Sequence, residues 1–340
     1  MRMLKINITV IAVLLLMVFT MWKSFQLERL ALSPPSHPET VSQGPKKNKE
    51  DKQIVWNFDY FLVQGGTPQV HLQGDEGVVP SDPNESLDVS VPRGEIYQVN
   101  SDNFHYQALK GQLFSHEQKV YLQEQVLLKN PTSQLTGEKA DYHFETKVFN
   151  IADNVHGVHR DELKKQTLKI DAAQGQGLLG QDTYIFRHNV SGVIERDRKF
   201  EAPVFFRAQL VEAKMPENII YLTDAVWIKQ NRLEGEGLRG EIFLENYNKK
   251  LKYYGLYDDV RLKQNPLPGT LNGKIRFAQG ERLDGFFQEK KIVLTGNPRL
   301  LQGGNAIRGT EITFFEDTDM VEAINSNSNI DLHPRSTSEQ

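Results

Sequence analysis

Three stretches of the chain, VYLQEQVLL (Val120–Leu128), IYLTDAVWI (Ile220–Ile228) and IVLTGNPRL (Ile292–Leu300), align without gaps. In each of them an aliphatic residue stands at the first, third and ninth positions. Successive side chains of a strand point to opposite faces, so residues two or eight positions apart share a face if no bulge lies between them. The three stretches therefore predict strands of one type with a common apolar face.

A weaker fourth copy contains Tyr184, Phe186 and Val190 at matching positions. The copies start at residues 120, 184, 220 and 292, so their spacing is not constant. Solenoids with a fixed coil length repeat more regularly than this. The spacing instead favours stacked strands joined by turns of variable length.

Each strong copy is followed by a leucine or isoleucine two residues before a glycine. The candidate pairs are Leu135–Gly137, Leu233–Gly235, Leu238–Gly240 and Ile307–Gly309. We interpret these glycines as turn residues that permit a positive φ. A further strand is predicted after the turn, with Tyr142 and Phe144 in one copy and Ile312 and Phe314 in another.

The rest of the body, from Gln53 onward, has short runs rich in Val, Ile, Tyr and Phe between Gly, Asn, Asp or Pro. It lacks the sustained 3.6-residue period of a helix, so an all-β fold is predicted. The chain contains no cysteine, which excludes disulfides, thiolate metal sites and cysteine nucleophiles. The net charge of −4 gives no reason to expect a nucleic-acid partner.

The N-terminus carries the uncharged segment INITVIAVLLLMVFTMW, residues 6–22, after Arg2 and Lys5. Its length is at the short end of the roughly 17–25 residues that a spanning helix needs. No small-residue cleavage site follows, so an uncleaved anchor is favoured over a cleaved signal peptide. We expect a cytoplasmic tail over 1–5, a transmembrane helix over 6–25 and a Pro- and charge-rich linker over 26–52.

Enzyme motifs are missing from the sequence: it has no G-x-S-x-G elbow, no H-E-x-x-H motif and no phosphate-binding G-x-x-x-x-G-K-[ST] loop. His156 and His159 are candidate metal ligands, but no third ligand is evident, and both are interpreted as loop histidines. An enzyme acting on polysaccharide would use paired carboxylates, and an efflux-pump adaptor would show heptad helices. We expect no enzyme activity, no cofactor and no metal.

The last copy with its continuation, KIVLTGNPRLLQGGNAIRGTEITFF (Lys291–Phe315), resembles the signature of OstA/LptA-like domains. The order of one anchor, a linker and a β domain resembles the LptC family of the lipopolysaccharide transport bridge. Together the resemblances cover about residues 95–325. They imply one or two stacked open β-jellyrolls: an LptC-like unit over 53–198, an OstA/LptA-like unit over 199–325 and a disordered tail over 326–340.

The resemblance also implies a function: an inner-membrane-anchored periplasmic component that accepts lipopolysaccharide from the permease subunits of an ABC transporter. It would pass this lipid to an LptA-like bridge protein or the outer-membrane translocon. The strands at the chain ends, Gln53–Phe61 and Met320–Asn325, would be the docking edges. The alternative is an anchored periplasmic β scaffold without lipid cargo.

In such a jellyroll the acyl chains of lipid A lie in a groove between two splayed sheets. The inward side chains of the repeated strands are the candidates to line this groove, and the alternative for each is a position in a dry core. The candidates are Val120, Leu122, Leu128, Tyr142, Phe144, Ile220, Leu222, Ile228, Ile292, Leu294, Ile312 and Phe314.

Overall fold

A computed structural model describes residues 53–80, 85–98, 102–197, 202–244, 252–268, 274–286, 289–318 and 320–329. All of them belong to one compact unit, residues 51–340. The predicted tail, anchor and linker, residues 1–52, lie outside the described residues. Within the described part of the chain, no helix has the length and apolar character needed to cross a bilayer.

The described residues form 22 strands of one hydrogen-bonded sheet and one short 3-10 helix, Leu179–Gln181. The strands are β1 (Gln53–Gln64), β2 (Thr67–Val79), β3 (Leu87–Ser90), β4 (Arg93–Ile96), β5 (Phe104–Gln107), β6 (Lys110–Phe114), β7 (Lys119–Lys129), β8 (Ser133–His143), β9 (Val148–Asp161), β10 (Gln166–Leu178), β11 (Thr183–Arg196), β12 (Val204–Lys214), β13 (Ile219–Gln230), β14 (Leu233–Phe243), β15 (Lys252–Gln264), β16 (Arg276–Phe286), β17 (Lys291–Thr295), β18 (Arg299–Gln302), β19 (Asn305–Arg308), β20 (Glu311–Phe315), β21 (Val321–Ile324) and β22 (Asn327–Asn329). The prediction of an all-β body is confirmed for these residues.

From β7 to β16 each strand pairs antiparallel with the next one in the chain. In β13 the side chains of Ile220, Leu222, Val226 and Ile228 are buried. Their neighbours alternate with them and are partly exposed. This alternation is the half-buried strand pattern that the sequence predicted.

A bend interrupts each long strand near its middle. β7 pairs with β8 from Lys119 to Gln123 and again from Val126, and between these two arms Glu124 and Gln125 have φ values of 63° and 54°. A bulge does therefore lie between the first and ninth positions of the aligned copies. The strand folds around one interior at this bulge, so the side chains on both arms remain buried.

The arms of successive strands assemble into two walls. The first wall contains the arm of β7 before its bend, and the second wall contains the arm after it. At both ends of the series the two arms are separate strands, such as β5 and β6, which both pair with β7, and β17 and β18, which both pair with β16. We call the line of bends the seam. The strand ends and turns at the edge of the first wall opposite the seam are the first rim, and those at the corresponding edge of the second wall are the second rim.

Odd-numbered strands bend at pairs of left-handed residues. The pairs are Glu124–Gln125, Asp153–Asn154, His188–Asn189, Asp224–Ala225 and Asp258–Asp259. Asp, Asn and His are the non-glycine residues that adopt this conformation most readily. A buried valine follows each pair, at residues 126, 155, 190, 226 and 260, so successive bends are 29, 35, 36 and 34 residues apart. The repeat is thus a strand pair of 29–36 residues, and the larger gaps between the copies at 120, 184, 220 and 292 arise because β9 and β15 carry further copies.

The glycines interpreted as turn residues are a second correction. Gly137, Gly235 and Gly240 lie inside β8 and β14, and none of them has a positive φ. Close approach explains them better: a Cβ on Gly137 would lie 2.7 Å from Cγ1 of Ile151, and one on Gly235 would lie 2.6 Å from Cδ1 of Leu256. These glycines make room for large side chains of the interior.

The C-terminal tail was predicted to be disordered from residue 326, yet Asn327–Asn329 forms β22 and pairs with β19. This pairing satisfies backbone groups of β19 that would otherwise lie at an open edge. Residues 330–340 lie outside the described part. The predicted domain boundary near Lys199 falls between β11 and β12, which pair along most of their length, from Thr183–Lys214 to Ile194–Val204.

Candidate functional site

All twelve candidate groove residues are buried, with at most 3% of their surface exposed, and they belong to one hydrophobic cluster. The set comprises Val120, Leu122, Leu128, Tyr142, Phe144, Ile220, Leu222, Ile228, Ile292, Leu294, Ile312 and Phe314. In this structure they line an enclosed interior between the walls.

The candidates are unevenly divided between the walls. Most lie on the first wall or its rim, where Val120 is paired with Tyr142 and Leu294 with Ile312, whereas Leu128 and Ile228 lie on the second wall. The sequence reasoning missed most of the second wall. Its further buried residues include Leu135, Val155, Ile170, Ile194, Phe206 and Leu262. The valine after each left-handed pair marks where a second-wall arm starts, and this signal was present in the sequence.

The two walls meet across the interior. Gly157 lies on the second wall, and a Cβ built on it would be 3.5 Å from Cζ of Phe186 on the first wall. The rims also meet opposite the seam. The Lys164 ammonium donates to the Asn218 side-chain oxygen at 2.7 Å, which joins the turn after β9 to the turn after β12. The interior is therefore closed by the seam on one side and by rim contacts on the other.

A small apolar cavity of about 40 Å³ lies at the rims near the middle of the chain. Side chains from both walls line it, among them Leu135, Leu168, Ile170, Tyr184, Phe186 and Met215. Its position brings solvent close to the apolar interior. This cavity offers an apolar ligand a place to contact the interior at the rims.

The interior is electrically neutral over most of its apolar length. Burial raises the pKa of the phenols of Tyr106, Tyr142, Tyr184 and Tyr254, so these groups keep their protons at physiological pH. The Tyr106 hydroxyl donates to the carbonyl oxygen of His71 at 2.9 Å. A neutral, apolar lining is suited to hydrocarbon and unsuited to a charged ligand.

The second rim changes character along the chain. Leu168, Ile194 and Val204 line it inward in β10, β11 and β12, but the equivalent places in β13 and β15 hold the buried amides of Gln230 and Gln264. The guanidinium of Arg276 then donates to Oε1 of Gln264 at 2.9 Å and to Oε1 of Gln302 at 3.1 Å. The interior next to this rim is therefore more polar near the C-terminal end.

The two histidines lie in strand β9, so their assignment to a loop was wrong. His156 is exposed on the outer face and its Nδ1 is 2.7 Å from Oδ1 of Asp171. His159 points inward, where its Nδ1 is 2.9 Å from the hydroxyl of Ser133, and it lines the cavity. They lie on opposite faces and cannot share a metal ion. Within the described residues, no group of three or more His, Cys, Asp or Glu side chains is placed to bind one.

Comparison with protein families resolves the identity of the chain. The profile described as "Lipopolysaccharide-assembly, LptC-related" matches residues 9–195, more than half of the 340 residues. The chain belongs to the LptC-related family. The profile described as "LptA/(LptD N-terminal domain) LPS transport protein" matches residues 207–320. This LptC-related chain thus continues into an LptA-like region, which confirms both resemblances inferred from the sequence and gives the protein a role in lipopolysaccharide transport.

Among solved structures, the chain is similar to LptH from Pseudomonas aeruginosa, described as the LptA homologous periplasmic component of the lipopolysaccharide transport device. The two share 15% sequence identity with a TM-score of 0.34, over 38% of this chain and 96% of the other. A search of curated proteins found no match.

Both predicted docking strands of the LptC-related chain lie at sheet edges. Within the described residues β1 pairs with β2 and has no second strand neighbour, and β21 pairs with β20 alone. β1 exposes large apolar side chains, including Trp56, of which 68% is exposed, and Phe61. The unpaired backbone groups of such edges can accept a further strand.

Proposed function

We propose that this protein is an inner-membrane-anchored periplasmic component of the lipopolysaccharide export machinery, and that it is a carrier and not an enzyme. Residues 6–25 would anchor it, and residues 53–198 and 199–325 would be its LptC-like and OstA/LptA-like parts. Lipopolysaccharide would pass along the interior with its lipid A acyl chains between the walls. The observation that carries the proposal is the continuous apolar, neutral interior in a chain of the LptC-related family.

The physics of burial supports an acyl chain as the ligand. Each methylene that leaves water contributes about 0.8 kcal/mol, so no hydrogen-bonding pocket is required for affinity. The twelve candidate residues are packed within one hydrophobic cluster, and an acyl chain would replace some of its contacts when the walls separate. The apolar cavity near Tyr184 and Met215 would be the starting point of this separation.

The ends of the sheet suggest how partners would dock. β1 follows the predicted linker and exposes Ile54, Trp56 and Phe61 next to an open edge, as a surface for the ABC transporter permease subunits. β21 offers the other open edge to an LptA-like bridge protein or the outer-membrane translocon. Strand addition at both edges would extend the sheet without disturbing the interior.

Photocrosslinking in cells tests lipid carriage directly. A photoreactive amino acid replaces Leu122, Leu222 or Leu294, which point into the interior at less than 2% exposure. The matched controls are Tyr121, Tyr221 and Val293. Each of them immediately precedes a test position in the same strand and faces the other way. After illumination, lipopolysaccharide adducts are detected by immunoblotting.

We expect adducts at the three leucines and few at the three controls. Equal labelling at both sets would show non-specific membrane contact. No adduct at any leucine in a folded, abundant protein would show a permanently closed core, and would favour the scaffold without lipid cargo.

A further inference from the structure

The rims are joined by basic residues of the second rim that donate to the first rim. Besides Lys164, the described rim contacts involve Arg196 at the end of β11 and Arg232 in the turn after β13. Each acceptor lies far along the chain, at residues 243–244 and 315–318. These contacts lie opposite the seam, so each of them ties the two walls together where they would otherwise part.

Arg232 makes the most extensive of these contacts. Its guanidinium donates to the carbonyl oxygens of Phe315 and Glu316, both at 3.1 Å, and to that of Thr318, all at the first rim, at the end of β20 and just after it. It also donates to the carbonyl oxygen of Asn265 at 3.2 Å. The neighbouring Asn231 amide donates to Oε2 of Glu316 at 3.2 Å. A planar guanidinium with several fixed donors can hold two segments in one geometry.

Arg196 repeats this arrangement further toward the N-terminus. It is 9% exposed and donates to the carbonyl oxygens of Phe243 at 3.1 Å and Leu244 at 3.5 Å. Its guanidinium carbon lies 4.2 Å from the centre of the Tyr253 ring, which adds a cation–π contact. The first rim at the end of β14 is thus held against the second rim at the end of β11.

An amphiphile with acyl chains inside and a sugar headgroup outside must cross the line where the rims meet. Arg196 and Arg232 bridge that line. Their acceptors are backbone carbonyls at the ends of β14 and β20 and in the turn after β20, and the donors are side-chain guanidinium groups, so the bridges are not hydrogen bonds of the sheet ladders. The bridges can therefore open and close while the walls keep their own hydrogen bonds.

We propose that Arg196 and Arg232 are clasps that hold the rims together, and that acyl chains reach the C-terminal half of the interior only when the clasps release. This inference rests on the proposed lipid-carrier function and describes how access to the same interior is controlled. The cavity near Tyr184 and Met215 then admits the first acyl chain, and passage beyond it requires the rims to part.

The absence of native cysteines permits a clean test. The double variant Asn231→Cys, Glu316→Cys places two thiols across the rims, where the native side chains are hydrogen bonded. A short bis-methanethiosulfonate reagent added to cells locks the pair, and dithiothreitol releases it. A photoreactive residue at Leu256, which is fully buried in β15 between the two clasps, reports lipopolysaccharide by adduct formation.

The matched control is Lys110→Cys, Glu124→Cys, a pair bridged by a 2.6 Å ion pair at the seam. The walls stay joined there whether the rims are open or closed. We expect the rim lock to abolish the adduct at Leu256, reductant to restore it, and the seam lock to leave it unchanged. Equal adducts in the locked and released rim variant would overturn the clasp proposal and would leave the proposal of lipid carriage intact. Absence of adducts from the Leu256 photoreactive protein with native rims and from every released variant would overturn lipid carriage and the clasp proposal with it.

Discussion

Ala225 occupies a backbone conformation that alanine rarely adopts, with φ at 51° in the bend of β13. Its side chain is exposed, so its contacts contribute little, while the left-handed conformation costs an L-residue about 1–2 kcal/mol. Ala225→Gly relieves this strain and also makes the unfolded chain more flexible. We expect a net rise of about 0.5–1 kcal/mol in the free energy of unfolding, measured by urea denaturation.

The control for Ala225 is the same substitution at Ala173, which is exposed in the bend region of β10 and has no positive φ. Glycine there adds flexibility without relieving strain, so Ala173→Gly should lower the free energy of unfolding by about 0.5–1 kcal/mol. Changes of the same sign at both positions would show that the left-handed conformation of Ala225 is not the source of the effect.

His159 gives the interior a pH dependence. Burial of its imidazole lowers its pKa below the usual value near 6.5. The unfolded chain therefore binds this proton first as the pH falls, and the folded state loses stability from about pH 6.5 down to the lowered pKa. We expect His159→Gln to reduce the stability difference between about pH 7.5 and 5.5, measured by urea denaturation.

His156→Gln is the matched control for this pH effect, because His156 lies on the exposed face of the same strand. It should reduce the difference by less than His159→Gln does. A larger reduction from the outer position would place the acid-sensitive group outside the interior.

At the scale of elements, the junction of β2 and β4 depends on Gly94. A Cβ on this residue would overlap the backbone carbonyl oxygen of His71 and lie 2.9 Å from the Tyr106 hydroxyl. The backbone of β2 cannot move away without breaking its pairing with β1. Gly94→Ala should therefore lower the free energy of unfolding by about 2–3 kcal/mol.

Gly180, in the short 3-10 helix, is the control for Gly94. A Cβ there would lie 4.0 Å from the nearest atom, Cδ of Lys147, and the residue has no positive φ. Gly180→Ala should change the free energy of unfolding by no more than about 0.5 kcal/mol. Similar losses at both glycines in thermal and urea denaturation would contradict the close-approach explanation.

The strands could be predicted from the sequence and the bends could not. Ile220, Leu222 and Ile228 alternate with polar or half-exposed neighbours, and this local pattern identifies a strand and its inward face. The bend at Asp224–Ala225 leaves the alternating hydrophobic pattern intact, because the buried residues on its two sides, Leu222 and Val226, are an even number of residues apart. What identified it was the recurrence of a left-handed pair before a buried valine, which becomes visible once β9 and β15 are included.

The candidate site was predicted less completely than the fold for a related reason. Leu122 and Leu222 could be found by alignment, since inward side chains recur with the repeat. Arg196 and Arg232 contact residues far away in the chain, and their acceptors are backbone carbonyls, which carry no side-chain signature. Whether the walls are closed or splayed also depends on these distant contacts, so the sequence left the groove and the core as alternatives.

At the scale of the whole molecule, the question is whether the two family-matched regions unfold together. β11 and β12 join these regions, and their pairing from Thr183 to Ile194 is as long as that of the neighbouring strands. The hydrophobic cluster also runs through both regions without a break. We therefore expect residues 53–329 to unfold as one cooperative unit, although arrays of repeats can lose such cooperativity.

Two tryptophans report on the two regions: Trp56 in β1 and Trp227 in β13. In a Trp22→Phe background, Trp227→Phe leaves Trp56 as the fluorescent probe, and Trp56→Phe leaves Trp227. Urea transitions followed by the two probes should have the same midpoint and slope, as all-or-none unfolding requires. A lower midpoint for Trp56, with Trp227 still native, would show that the LptC-like and LptA-like parts are separate folding units, and that the pairing of β11 with β12 is a domain interface.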